Sequence, residues 1–182
     1  MLSPKENPPR LPPGIPSIDA IEGPWWVGHT RSRAEKAFAW DLIQKGIPYY
    51  LPMVEKVRYS GGRKRRVLLP LFTGYVFFAG DADGRYEAMT TNKLCRTIPV
   101  EEPELLVHQL MQVERAIAGR GDLDLYPHAV QGKRCRVTSG PFKGMEGVVV
   151  ERKRNTSVVV LEVTLLGQGA KLTLDASILE RA

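Results

Sequence analysis

The chain has little with which to do covalent chemistry. Of its 182 residues two are cysteine and three are histidine. Cys95 and Cys135 stand far apart, with no Cys-x-x-Cys pair and no histidine at metal-ligand spacing, so neither a disulfide framework nor a zinc ribbon is encoded. His29, His108 and His128 are scattered. There is no Gly-x-Ser-x-Gly elbow, no phosphate loop ending in Gly-Lys-Ser/Thr and no His-Glu-x-x-His, and these absences argue against an enzyme and imply neither metal nor cofactor. Nor does any apolar run approach the roughly 18 residues of a membrane-spanning helix, and the N-terminus lacks the basic-then-apolar plan of a signal peptide. The expectation is a soluble, cytoplasmic protein with reduced thiols and no membrane partner.

What the chain does have is positive charge, placed unevenly. Twenty-six Lys and Arg against 20 Asp and Glu give a formal charge of +6, which favours an anionic partner such as nucleic acid. The stretch RYSGGRKRRVLLPLFTGYVFF, residues 58 to 78, opens with Arg58, Arg63, Lys64, Arg65 and Arg66 and no acid, then turns apolar. Gly61-Gly62 sits where a tight reversal is needed, so the segment predicts a β-hairpin with a basic tip. Its arms are YYLPMVEKVRY and RKRRVLLP, and YVFFA supplies a further strand.

The rest of the pattern divides the chain. Residues 1–23 carry six prolines and few large apolar groups, and are expected to be an unfolded tail. Trp25-Trp26-Val27 predicts a strand, and Ser32 with Glu35 has the residues of a helix capping box. Ala34, Ala37, Phe38 and Leu42 then share a helical face that Gly46 and Pro48 close. A short helix over 86–91 and a strand over 94–100 complete a layer of helices on an antiparallel sheet. A second amphipathic helix follows, with Pro103 in its first turn, Leu106, Leu110, Val113 and Ile117 on one face, and Gly119 as its stop. Residues 119–128 read as a linker, making 24–118 one domain and 129–182 another. That second domain predicts five short strands, at 134–138, 147–152, 158–163, 170–174 and 178–181, which make a small β-barrel.

WWVGHT, PLFTGYVFF and GKRCRVTSGPFKGMEGVV stand in the order and at the spacing of the NusG family, and the chain from about residue 24 resembles that family throughout. The resemblance implies an α+β fold: an N-terminal NGN α/β sandwich with an antiparallel sheet, a linker, and a small C-terminal KOW β-barrel of SH3-like form. The string HTRSRAEKAFAWDLIQKGIPYYLP is more similar to the specialised, RfaH-like antiterminators than to housekeeping NusG. One departure is Thr73, where the usual family string has proline, which leaves the backbone before Gly74 less fixed.

The resemblance implies a monomeric elongation factor whose NGN domain binds the clamp helices of the largest RNA polymerase subunit and suppresses pausing or termination. The residues expected to face the polymerase are His29, Tyr50, Phe72 and Tyr75, with Thr90 and Thr91 touching the subunit across the cleft. The domain holds more aromatic side chains than a small half-covered sheet needs, each worth roughly 150 to 250 Å² of burial; core packing is the plain alternative for each. Arg63, Lys64, Arg65 and Arg66 are expected on DNA or RNA near the transcription bubble, each neutralised phosphate adding roughly 0.9 to the salt slope of binding. A hairpin tip charged only to resist edge pairing is the alternative. Arg31, Arg33 and Lys36 form a second basic group, where RfaH-like relatives read exposed DNA bases. In the KOW domain Phe142, Arg152, Lys153 and Arg154 are the partner-binding candidates, for a ribosomal protein, the termination factor Rho or RNA.

Some RfaH relatives fold the KOW segment as a helical hairpin. Here Val148, Val149, Val150, Val158, Val159 and Val160 are β-branched and Gly167 and Gly169 interrupt the later half, which predicts a permanent β-barrel. Two other readings stay open on sequence: housekeeping NusG, and a KOW-type RNA-binding or ribosome-associated protein.

Overall fold

The structure, a computed structural model, describes residues 7–128 and 130–182. Its backbone divides into two compact units, the first ending at Pro103 and the second running Glu104–Ala182.

In the first unit β1 (Trp25–Thr30) lies between β5 (Tyr75–Ala79) and β6 (Leu94–Pro99), and β2 (Tyr49–Tyr50) forms the other edge, giving an antiparallel sheet in the order β2-β5-β1-β6. Helix α1 (Glu35–Gln44) sets Phe38, Ala39 and Leu42 into a core with Tyr49, Val76, Phe78 and Leu94, Phe38 meeting Phe78 edge-on at 5.9 Å. Gly28 leaves room for this packing: a Cβ there would stand 3.2 Å from Phe38 Cε1 on the helix and 2.8 Å from Leu94 Cδ2 on β6. Helix α2 (Ala82–Thr90) starts earlier than the apolar pattern indicates, because Asp81 caps it by accepting from the Gly84 amide at 2.9 Å.

The single long arm expected before the glycine pair is two strands. Pro52 interrupts it, so β2 joins the main sheet while β3 (Met53–Ser60) pairs only with β4 (Arg63–Pro70). Gly61 and Gly62 both adopt positive φ, 57° and 72°, the backbone of a two-residue type I′ turn whose twist matches the strands it joins.

The expected unfolded tail is corrected over its described part. Ile18, in a short 3-10 turn at Ile18–Ala20, and Ile21 are buried. The Arg10 carbonyl accepts from the Leu51 amide at 2.9 Å, and the Pro9 carbonyl accepts from the Tyr49 hydroxyl at 2.6 Å. The Leu51 amide and the Tyr49 hydroxyl supply the hydrogen-bond partners that the segment's own sequence lacks. Residues 1–6 lie outside the described residues.

The second unit is an antiparallel six-stranded, barrel-like sheet in the order β12-β8-β9-β10-β11-β7. Its strands are β7 (Asp124–Tyr126), β8 (Lys133–Val137), β9 (Glu146–Arg152), β10 (Thr156–Val163), β11 (Gln168–Asp175) and β12 (Leu179–Arg181). Val137, Met145, Val159, Leu161, Val163 and Leu172 fill it. The expected linker is also corrected, since β7 lies within 119–128 and pairs with β11 through Leu125 and Ala170. Helix α3 (Pro103–Ala118) belongs to this unit rather than to the first. The Gln109 amide donates to the Thr164 hydroxyl at 2.7 Å and accepts from the Thr164 amide at 3.0 Å, and the Arg115 guanidinium donates to the Lys143 carbonyl.

Candidate functional site

The hairpin β3–β4 carries the densest charge, and its register sorts that charge by face. Cross-strand partners are Arg58 and Arg65, Ser60 and Arg63, Tyr59 and Lys64, Val57 and Arg66. Because strand side chains alternate, Lys56, Arg58, Arg63 and Arg65 share one face near the turn, with no acid among the residues of that face. Like charges directly opposite, as Arg58 and Arg65 are, destabilise a hairpin by themselves and are relieved by an anion. The other face differs. Arg66 is ion-paired to Glu55 at 3.2 Å, and Lys64 lies opposite Tyr59, whose ring is 76 % exposed. The four consecutive basic residues picked out in the sequence are therefore not equivalent: Arg63 and Arg65 join Arg58, which was left out of the candidate set, while Arg66 is partly neutralised.

The turn between β1 and α1 exposes Arg31 and Arg33. Arg33 takes φ 59°, and this left-handed residue displaces the helix start, so the capping box does not form: Ala34 is the N-cap, without a side-chain bond. Glu35, 3 % exposed, instead accepts from the Gly74 amide at 2.6 Å. With the Thr30 amide donating to the Gly74 carbonyl at 2.8 Å, both polar groups of Gly74 are bound, so the turn is held without the proline that Thr73 replaces. Lys36 does not join the arginines. Its amine donates to Asn7 Oδ1 and to the Leu68 carbonyl, both at 2.5 Å, and burial pushes its pKa down. It anchors the base of the hairpin rather than a phosphate.

Of the aromatic candidates, Tyr50 and Phe72 are corrected. Both are buried, Phe72 edge-on to Phe77 at 6.1 Å and Tyr50 stacked on it at 6.5 Å, so neither ring is presented to a partner. Tyr50 points this way because it faces Phe77 across the β2–β5 pair, and the bulky rings of both strands fill the same side. His29 and Tyr75, partners across β1 and β5, remain half-exposed and stack at 5.1 Å. Trp26 is half-buried, its indole donating to the Gly80 carbonyl at 2.9 Å and its ring under the Arg85 guanidinium at 5.0 Å. Thr90 and Thr91 return their hydroxyls to the Glu87 and Ala88 carbonyls at 2.7 and 2.8 Å, closing α2.

In the second unit Phe142 is half-buried. A Cβ on Gly119 would stand 2.6 Å from its ring, so it packs on the chain that leaves α3 instead of standing free on its turn. Arg152, Lys153 and Arg154 are exposed around the β9–β10 turn, with Lys153 paired to Glu151 at 3.6 Å. Among the described residues no cluster of His, Cys, Asp and Glu is arranged to hold a metal, and no helix is long and apolar enough to cross a membrane.

An α/β sandwich with a basic hairpin, followed by a small antiparallel barrel, is the two-part architecture of an NGN domain joined to a KOW domain. The NusG family model, described as transcription termination factor nusG, matches residues 23–118, more than half of the chain, and the KOW motif model matches residues 131–162. The chain belongs to the NusG family. That family comprises transcription factors rather than enzymes. Two solved structures are similar to it. One, titled "Domain interaction in Thermotoga maritima NusG", is 19% identical with TM-score 0.45, covering 88% of this chain and 97% of its own. The other, a crystal structure of the MjSpt4:Spt5 complex in conformation B, is 15% identical with TM-score 0.26, covering 87% and 96%. No curated protein matches significantly.

Proposed function

We propose that the protein is a transcription elongation factor of the specialised, RfaH-like kind, which binds RNA polymerase through its first unit and suppresses pausing or termination. The observation that carries the reading is the hairpin: Arg58, Arg63 and Arg65 stand on one acid-free face, on a ribbon anchored at its base by Lys36. A ribbon so charged is suited to the phosphates of a duplex beside a transcribing enzyme. The stacked His29 and Tyr75 are the aromatic surface that this reading assigns to the polymerase clamp helices, and exposed Arg31 and Arg33 are the groups it assigns to unpaired DNA bases. In the KOW domain the β9–β10 turn and the Phe142 loop are assigned to a ribosomal protein, Rho or RNA.

The test is single-round transcription by the cognate polymerase, measuring pause lifetimes with the wild type and with an Arg58→Ala, Arg63→Ala, Arg65→Ala variant. Shortened pauses that lengthen again in the variant, while the variant still associates with the elongation complex, support the reading. No effect of the wild type on pausing or termination and no retention on the complex overturn it.

A further inference from the structure

The strands of the hairpin, β3 and β4, pair only with each other, so the ribbon's direction relative to the main sheet is set at its root. Two groups of contacts meet there. In the first, the Leu71 amide closes the arms by donating to the Pro52 carbonyl at 2.8 Å, Met53 lies in the core with Phe38 and Leu42, and Leu68 packs against it. The second comes from the N-terminal segment. Its Arg10 carbonyl accepts from Leu51, two residues before β3, at 2.9 Å, and its Pro9 carbonyl accepts from Tyr49 of β2 at 2.6 Å. On the other arm, Asn7 Oδ1 and the Leu68 carbonyl of β4 share the Lys36 amine of α1, each at 2.5 Å. The segment therefore reaches one arm directly and the other through a lysine. Its far end is fixed separately, because Ile18 and Ile21 are buried shortly before β1. Between the two ends Pro8, Pro9, Pro12, Pro13 and Pro16 restrict φ, and Gly14 turns the chain at φ 89°, with the Ile15 amide donating to the Pro12 carbonyl at 3.2 Å. A segment so restricted loses less conformational entropy on being held than an ordinary linker does. These contacts are made by residues that precede the family match, which begins at residue 23.

We propose that residues 7–21 form a brace that fixes the direction of the charged hairpin, with Asn7 and Lys36 as positioning residues for Arg58, Arg63 and Arg65. The inference rests on the proposed role of the hairpin and adds what aims it. A free duplex can move to meet a ribbon that points in any direction. On an elongation complex the protein is held through another surface, and the hairpin reaches the nucleic acid only when its direction is set in advance. A ribbon already ordered at its root also brings a smaller entropic cost to that contact.

Direction and function are read separately. Spin labels are placed on exposed Cys95 in β6 and on Ser60→Cys at the hairpin tip, in a Cys135→Ala background, and their separation is measured by double electron-electron resonance. The labelled parent is compared with Asn7→Ala, with Asn7→Asp, and with a truncation that removes residues 1–14 and keeps Ile18 and Ile21. The parent should give one narrow distance, the truncation a broad distribution and Asn7→Ala an intermediate one. Asn7→Asp, which keeps an acceptor for Lys36, should return to the narrow distance. The same narrow distance in parent and truncation overturns the proposal. Amide shifts over 53–60 and 63–70 should stay those of strands in the truncation; their loss would make the segment part of the hairpin's fold rather than its aim, and overturns the proposal as well. In single-round transcription Asn7→Ala should shorten pauses less than the wild type does, while its affinity for a free duplex and the salt slope of that binding stay unchanged, since no charge is removed. An equal loss in both assays would place Asn7 in the binding surface itself, against the proposal. Distances that behave as expected, beside a wild type without effect on pausing or termination, would keep the brace and sink the elongation-factor reading.

Discussion

Single side chains decide how the first unit holds its working surfaces. Glu35 is the clearest: a carboxylate 3 % exposed whose partner is a backbone amide 39 residues away. Removing it in Glu35→Ala takes the acceptor from the part-buried Gly74 amide, a loss of about 1 kcal/mol, whereas Glu35→Gln keeps an acceptor oxygen. Amide exchange at Gly74 should accelerate in the alanine variant and stay near wild type in the glutamine one. Tyr49 gives a pH signature. Its hydroxyl donates to the Pro9 carbonyl, and burial raises its pKa well above the ordinary 10. A group whose pKa is raised by folding stabilises fully below its unfolded pKa, and that contribution is lost as pH rises above it towards the folded value. Thermal stability should therefore fall more steeply above about pH 10 in the wild type than in Tyr49→Phe, although the phenylalanine variant is less stable at pH 7 by about 1 kcal/mol. Neither role was readable from sequence. Glu35 looked like half of a capping box until Arg33 took a left-handed conformation, and Tyr49 acquires its partner from a segment whose composition indicates disorder.

Among the elements, the hairpin was the most legible. Its turn, its second arm and its charge follow from Gly61-Gly62 and an alternating run, and the structure has all three, while the first arm is shortened to Met53–Ser60 by Pro52. What the sequence left open was which cations act together, because that depends on register, and a shift by one residue moves every side chain to the other face. The observed pairing makes Arg58, Arg63 and Arg65 one unit. In duplex DNA binding, the triple alanine variant should reduce the salt slope by about 2.7, and Lys64→Ala with Arg66→Ala should reduce it by about 1, since Arg66 already has Glu55. The turn itself has a local requirement: Gly61→Val places a β-branched residue at φ 57° and should lower the melting temperature, whereas Gly61→Asn, compatible with that backbone, should change it little.

Across the whole molecule the division into units differs from the division expected. The family match continues through α3, whereas contacts group α3 and β7 with the barrel. The consequence is testable by truncation: a fragment beginning at residue 128 loses the Gln109 and Thr164 pairing, the seat of Phe142 and the β7 strand, and should melt lower than one beginning at residue 104. Both should be β-structured in the barrel by circular dichroism. In the full chain, amide shifts over 147–163 should be those of strands under all solution conditions that leave the protein folded; helical shifts there would show the switching behaviour that the valine-rich strands argue against.

By itself the sequence determined the local and the periodic: valine-rich strands and a glycine turn in the right places, Phe38 and Leu42 on the buried side of α1 although Ala37 of the expected face is exposed, the family strings, and the total of positive charge. Backbone propensity and side-chain period act over a few residues, so they are written directly in the chain. Tertiary structure alone decided which aromatics are core and which are surface, because Tyr50, Phe72 and Tyr75 are chemically alike and differ only in what the fold packs around them. It also decided that Lys36 is an anchor and that Pro9, Arg10, Ile18 and Ile21 are held against the first unit. Each of these depends on groups brought together across long sequence separations, and only the closed fold supplies that proximity.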